Sequence, residues 1–402
     1  MEQRRILLAV SGGIAAYKAP ELVRALRRAG NTVRCAMTSN AVEFVAPLAL
    51  QAVSGHAVRT QLFDPVEEGG IDHIALADWA DLVVVAPATA NILAKLANGL
   101  ADDLVSTVAL ATRAPLLVAP AMNVNMWCHP ATQNNVTALQ QRGVRMIGPE
   151  SGELACGWEG EGRMAEPQAI ADTAAWMAGS RDLAGDVVLV TAGGTREPVD
   201  AVRYLGNRSS GKMGFAVATE AARRGASVVL VSGPVSLRTP AGVRRVDVET
   251  ALEMREAVMA ELPEATIVVK AAAVADFRVA RPEVGKIRKE DLPPGSCPTL
   301  DLVRNPDILA EICRTPGDRV VIGFAAEAGD PVASARRKLK RKGCDLIVAN
   351  DISREASGFD ADTNAVVFVW PGGDVEELPS LSKAEVAALI LDRVAKLRGE
   401  NR

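Results

Sequence analysis

Apolar runs of strand length, each followed by an amphipathic stretch, recur from one end of this chain to the other. They read RILLAV (5–10), DLVVVAPA (81–88), PLLVAPA (115–121) and VRMIGP (144–149), then DVVLVTAGG (186–194), ASVVLVSGP (226–234), TIVVKAAAV (266–274), RVVIGFAAE (319–327) and DLIVAND (345–351). A continuous apolar run suits a strand buried on both faces, as in a parallel sheet covered by helices. Segments 17–29 and 130–142 carry the helical pattern between such runs. The pattern restarts after the small, polar stretch AGSRDLAGD (178–186), so two doubly wound, Rossmann-like α/β domains are expected, residues 1–180 and 181–402. A chain of 402 residues is too long for one ordinary core.

Charge and cysteine usage exclude several function classes. A net charge of -4 offers no basic field for a nucleic-acid backbone. Six cysteines without a C-x-x-C pair argue against a zinc site or a disulfide framework, and for a reducing, cytoplasmic compartment. Two arginines before an apolar run look like a secretory signal, but the run Ile6 to Val10 ends at Ser11, short of the ~7–15 residues of a signal core. No apolar stretch approaches the ~20 residues that span a bilayer, so no membrane partner is expected.

Open α/β sheets bind ligands beyond the carboxyl ends of their strands. Three turns there suit a phosphate: Ser11-Gly12-Gly13-Ile14, Thr38-Ser39-Asn40 and Thr89-Ala90-Asn91, small hydroxyl or amide residues at helix starts. Each alone also reads as an ordinary helix cap. His73, Asn123 beside Met122 and Met126, and Cys156 in a glycine-rich stretch stand out, although a capping histidine, a loop asparagine and a buried thiol are the bland alternatives. In the second half, GNRSSGKMG (206–214) has P-loop spacing until Met213, where a P-loop needs a hydroxyl for Mg²⁺. Backbone N–H groups at a glycine-rich helix start cradle phosphates without that hydroxyl, which makes the P-loop likeness coincidental. The stretch 280–298, with four prolines and a lysine-arginine cluster, reads as a long mobile loop, a lid or disordered.

HIALADWAD, PATANILAKLANGLADDL, PAMNVNMW and LACGWEGEGRMAEP together resemble the flavin-dependent cysteine decarboxylases, and among them the phosphopantothenoylcysteine decarboxylases, over nearly all of 5–167. The resemblance implies a flavodoxin-like flavoprotein domain holding FMN through Gly12, Gly13, Ile14, Thr38, Ser39, Thr89, Ala90, Asn91 and Ala121. It implies His73 as base, Asn123 holding the substrate carboxylate, Met126 contacting the substrate and, with Met122, keeping the pocket dry, and Cys156 as proton donor on a flap. The chemistry suits these groups. A cysteine carboxylate has no electron sink for the carbanion that CO₂ leaves, so the carbon bearing sulfur is first oxidised to a thioaldehyde, and the enethiolate formed by decarboxylation is then protonated and reduced.

AAAVADFR (271–278), GKIRK (285–289), RNPDIL (304–309), GFAAE (323–327), RRKLKRK (336–342) and VANDIS (348–353) resemble phosphopantothenate–cysteine ligases over roughly 187–370. Both halves, in this order, are similar to the bifunctional bacterial enzymes of coenzyme A synthesis. The resemblance implies CTP with Mg²⁺, an acyl-cytidylate from phosphopantothenate, and displacement of CMP by cysteine. Gly193, Ser209, Gly211, Gly214, Ala272, Ala273, Asp276, Lys286, Asn305, Pro306, Asp307, Ile308, Phe324, Lys338, Lys342 and Asn350 would contact the nucleotide. Asn207 would hold the acyl phosphate, Lys286 would act in catalysis, and Arg203 would reach the substrate phosphate of a neighbouring subunit. Metal ligands stay unassigned, as does Arg288, which stands where the resemblance leads one to expect lysine. RRKLKRK is otherwise simply a solvated helix face. Ligase dimers joined by decarboxylase trimers, a dodecamer, are the implied homo-oligomer. A flavin-binding regulatory protein of the same fold is the alternative, and it predicts loss of His73 or Cys156; both are present. A nicotinamide-dependent oxidoreductase would call for G-x-G-x-x-G directly after a strand, which Gly193-Gly194-Thr195 does not supply.

Overall fold

The computed structural model describes residues 3–62, 72–153, 158–179, 181–288, 290, 297–327, 330–351 and 363–400. The chain divides into two compact units, Met1–Gly179 and Ser180–Arg402. Among the described residues no helix is long and apolar enough to cross a membrane.

The first unit has strands β1 (Arg5–Val10), β2 (Thr32–Met37), β3 (Leu82–Ala88), β4 (Leu116–Pro120) and β5 (Arg145–Met146), followed by β6 (Glu150–Glu153) and β7 (Glu159–Arg163). Its helices are α1 (Ala19–Arg28), α2 (Pro47–Ser54), α3 (Asp72–Trp79), α4 (Ala90–Asn98), α5 (Leu104–Ala111), α6 (Val124–Cys128), α7 (Pro130–Gln141) and α8 (Pro167–Met177). The parallel sheet runs β2-β1-β3-β4-β5, the flavodoxin-like order, with its reversal between β1 and β3. The two-residue period of a strand explains the continuous apolar runs. Ile6, Leu8 and Val10 pack with Leu22, Leu26 and Ile170 on one face, while Leu7 and Ala9 pack with Leu93, Leu104 and Leu139 on the other. Two expectations shift at the ends of elements. VRMIGP shrinks to Arg145 and Met146, because Gly148 at φ +75° leaves the extended region. The helix expected from residue 17 begins as a 3-10 turn at Ile14–Lys18 and becomes α-helical at Ala19, where Pro20 sits in the first turn, a place that needs no N–H.

The second unit contains β8 (Val187–Ala192), β9 (Arg196–Pro198), β10 (Tyr204–Gly206), β11 (Ser227–Ser232), β12 (Val243–Asp247), β13 (Ile267–Lys270), β14 (Phe277–Val279), β15 (Leu302–Arg304), β16 (Val320–Glu327), β17 (Leu346–Asp351), β18 (Thr363–Asn364), β19 (Val366–Val369), β20 (Val375–Glu377) and β21 (Leu381–Ser382). Its helices are α9 (Lys212–Arg223), α10 (Ala251–Glu261), α11 (Ile308–Arg314), α12 (Pro331–Lys342) and α13 (Lys383–Glu400). The main sheet runs β12-β11-β8-β13-β16-β17-β19-β20. Its first six strands are parallel, and β19 and β20 extend it antiparallel. The strand order reverses between β8 and β13, so a ligand crevice is expected at their carboxyl ends. Short antiparallel ribbons, β9–β10 and β14–β15, rise from that edge.

Candidate active sites

In the first unit the three turns converge on the carboxyl ends of β1, β2 and β3. Thr38 N donates to Val10 O at 3.0 Å, joining the first two. Ser11 Oγ donates to Pro87 O at 2.8 Å and accepts from Thr89 N at 3.1 Å, joining the first to the third. A methyl group on Gly12 would lie 2.4 Å from Asn40 Cβ, so only glycine fits where these turns touch. Thr89 also caps α4, accepting from Ile92 N at 3.4 Å. Thr38 Oγ1 is buried without a hydrogen-bond partner among the described residues, a position that needs a ligand group. Helix-start amides beside such a hydroxyl fit a phosphate ester.

A crossover helix runs antiparallel to its strands, so the first turn of α3 lies at this same sheet edge. His73 stands in that turn, half-buried, with Nδ1 enclosed and without a partner among the described residues. It therefore does not serve as a helix cap. Asn123 does cap a helix, α6, its Oδ1 accepting from Asn125 N at 2.8 Å. That bond orients the amide and makes its NH₂ the donor end. The ribbon β6–β7 is anchored beside it, since Met122 N donates to Gly162 O at 2.9 Å and a methyl on Gly160 would meet Val124 Cγ2 at 2.9 Å. Cys156, in the connection between β6 and β7, lies outside the described residues. Met126 is 48% exposed, as are several apolar neighbours of the turns, Ile14 at 58% and Tyr17 at 62%.

The second unit opens a cavity of about 980 Å³ at its strand-order reversal. Its walls bring together Asn207, Ser209, Gly211 and Gly214 from the glycine loop, Ala272, Ala273 and Asp276 after β13, Asn305, Pro306, Asp307 and Ile308 before α11, and Phe324, Lys338, Lys342 and Asn350. Gly211 caps α9 at φ +76°, and a methyl there would sit 3.0 Å from Val235 Cγ1 and 3.4 Å from Gly193 N. Gly193 does not line the cavity but lies beneath this loop, its carbonyl accepting from Ala273 N at 2.8 Å. A methyl on Gly214 would meet Ala192 Cβ at 2.6 Å, so this glycine lets α9 close on β8. Met213 turns its Sδ to Asn364 Nδ2 at 3.8 Å.

Asn207 Nδ2 donates to Val274 O at 3.0 Å, so holding an acyl phosphate with that group requires the amide to turn. Asp307 caps α11 through Ala310 N at 3.1 Å and pairs with Lys342. In α12 Arg336, Arg337 and Lys340 are solvated and Arg341, though exposed, lines the cavity, whereas Lys338 and Lys342, one turn apart, point inward. Lys338 donates to Phe324 O, and burial pushes the pKa of Lys342 down.

Arg203 and Lys286 do not line the cavity. Arg203 is bound to Asp200, Nε to Oδ2 at 2.9 Å, and donates through Nη2 to Ile287 O at 2.8 Å. Asp200 also accepts from Val202 N, Arg203 N and Ile287 N. The Arg203 guanidinium holds its carboxyl far below the usual carboxylate range. Residues 281–288, read from the sequence as a mobile loop, are therefore tied to the β9–β10 ribbon, with Glu283 N donating to Val199 O at 3.0 Å. Lys286 is exposed on this segment. Among the residues missed by sequence reasoning are Lys270, Asn364 and Lys383, which all line the cavity. Asn364 is buried, and its Oδ1 has no partner among the described residues.

A family model described as Flavoprotein matches residues 1–178, and one described as DNA/pantothenate metabolism flavoprotein C-terminal domain matches residues 183–397. The coenzyme A biosynthesis bifunctional protein CoaBC of Escherichia coli (strain K12) is 51% identical over 393 residues, 97% of this chain and 96% of that one. The protein of the same name from Bacillus subtilis (strain 168) is 46% identical over 401 residues, covering 99% and 98%. Among solved structures, the C-terminal domain of a coenzyme A biosynthesis bifunctional protein CoaBC covers 55% of this chain and 100% of its own at 38% identity, TM-score 0.47. A PPC decarboxylase mutant complexed with pantothenoylaminoethenethiol covers 43% and 97% at 35% identity, TM-score 0.39. With both family models matched in order and a relative of equal length sharing 51% of its residues, this chain belongs to the family of coenzyme A biosynthesis bifunctional proteins CoaBC.

Proposed function

We propose that the second unit joins cysteine to phosphopantothenate with CTP, through an acyl-cytidylate, and that the first decarboxylates the product with FMN to give phosphopantetheine. The observation that carries this reading is the cavity of the second unit, where a glycine cradle, the start of α11 and two inward lysines of α12 meet at the strand-order reversal. A triphosphate suits such a set: backbone amides and a helix start for the phosphates, ammonium groups for the charge. Mg²⁺ accompanies CTP, as it does most triphosphates, largely through phosphate oxygens.

In the first unit, FMN when bound supplies the electron sink that the cysteine carboxylate lacks. Gly12, Gly13, Ile14, Thr38, Ser39, Thr89, Ala90, Asn91 and Ala121 would hold it. His73 takes a proton from the substrate, Asn123 donates to its carboxylate, and Cys156 returns a proton to the decarboxylated product. Apolar exposure at Ile14 and Tyr17 beside the turns supports closure by further copies of the first unit, as trimers; dimers of the second unit, and a dodecamer built from both, rest on the family resemblance alone. The enzyme works in the cytoplasm on small molecules.

The test is direct. The purified protein should be yellow and release FMN on denaturation; colourless protein that FMN cannot reconstitute would refute the decarboxylase half. Cys156→Ser should still release CO₂ and stall at an oxidised enethiol, while His73→Asn should release none. Equal loss in both variants would overturn these roles.

A further inference from the structure

A lysine closes the central strand β13, in the row of side chains that otherwise packs the core. The two-residue period puts Lys270 on the same face as Val268 and Ala272, which belong to the core cluster beneath α11 and α12. Its neighbours in register are Thr191 on β8 and Gly323 on β16, so it is central in the sheet. Nζ donates to Ala272 O at 3.1 Å. Around it stand Lys338 and Lys342 from α12, Asp276 from the loop after β13, and Asp307 at the start of α11, already paired with Lys342; Lys212 and Lys383 line the same cavity from α9 and α13, as do Arg208, Arg304, Arg314 and Arg341.

We propose that Lys270 is a nucleotide-binding residue that is mostly uncharged above neutral pH in the empty cavity and takes up a proton when a nucleoside triphosphate enters it. This rests on reading the cavity as the nucleotide site. The step is the transfer of one proton from solvent to Nζ, with no bond to the ligand beyond hydrogen bonds. Burial first, then Lys338 and Lys342 against the opposing pull of Asp276, push the pKa of Lys270 down to about 7. Several negative charges arriving a few ångströms away reverse that balance. A lysine charged only when its counter-ions are present avoids adding to the repulsion among the other cations of the cavity.

The experiment is calorimetric titration of the full-length protein with MgCTP at pH 8, in buffers of different ionisation enthalpy, which reads protons taken up per nucleotide bound. Wild type should take up close to one proton, and its affinity should fall about tenfold per pH unit between about pH 7 and 9. Lys270→Met, close in shape and suited to the apolar row, should bind with no uptake and with a flat pH profile. Lys270→Arg, charged at every pH, should keep binding and also lose the uptake. Uptake that persists in Lys270→Met, or wild-type binding without uptake, overturns this proposal while leaving the nucleotide site intact. No CTP binding by wild type at all overturns the nucleotide reading and this proposal with it.

Discussion

At position 211 a single methyl group would already crowd the loop proposed to cradle the phosphates. Gly211 sits at φ +76°, where a β-branched side chain is strained, and its Cα faces Val235 and the backbone of Gly193. Gly211→Val should abolish CTP-dependent ligation through strain of about 1–3 kcal/mol and the lost approach to the phosphates. Lys212→Arg should be mild, and Met213→Thr should give no gain, because the Met213 sulfur faces Asn364 in the structure. Pyrophosphate release and amide formation, measured side by side, check this; tighter CTP binding by Met213→Thr would restore the P-loop reading. The glycines were legible in the sequence because tight approach and positive φ leave them few substitutes. Lys270 was not, because a lysine inside the apolar run TIVVKAAAV gives no sign of what surrounds it. Asn364 was not, for it lies on a two-residue strand whose pattern carries no period.

At the scale of elements, apolar runs announced most strands of the two main sheets, while β12, β19, β20 and the paired ribbons went unread. Tyr204–Gly206, Phe277–Val279 and Leu302–Arg304 are three residues each and mostly exposed, so no buried face imposes an alternation. Contacts distant in sequence fix them, above all Asp200, which ties residues 281–288 to the turn between β9 and β10. Asp200→Ala should leave the sheet intact and speed hydrogen exchange at the Ile287 amide, which donates to this carboxylate at 3.1 Å. The pH dependence follows from the direction of the shift. The folded pKa of Asp200 lies below the unfolded value of about 3.9, so its contribution is complete above about pH 4 and is lost as pH falls through the folded value. Protection of Ile287 should be constant from pH 5 to 8 and weaken only in acid; a change near neutrality would assign the tether to another group.

For the whole molecule, each unit has its own core, the clusters around Leu8 and Leu7 in the first and around Val268 in the second. Separate cores predict that fragments cut between Gly179 and Gly185 fold alone, the first decarboxylating supplied phosphopantothenoylcysteine and the second ligating cysteine with CTP. Inactivity of both fragments beside an active full chain would contradict two independent domains. The eight-stranded sheet has a further consequence, for how copies of the chain avoid one another. Among the described residues it is open, with unlike ends: β12 carries Arg244 and Arg245, and β20 carries Glu376 and Glu377. Opposite charges on two free edges invite head-to-tail stacking, a contact that never closes and grows into a filament. Here each edge is neutralised from within, Arg244 by Glu261, Arg245 by Asp247 at 2.7 Å and Glu376 by Arg393 at 2.6 Å. Removing Glu261 and Arg393 together should therefore raise light scattering at low ionic strength and leave it unchanged in high salt, where the exposed arginines of one copy no longer feel the glutamates of the next.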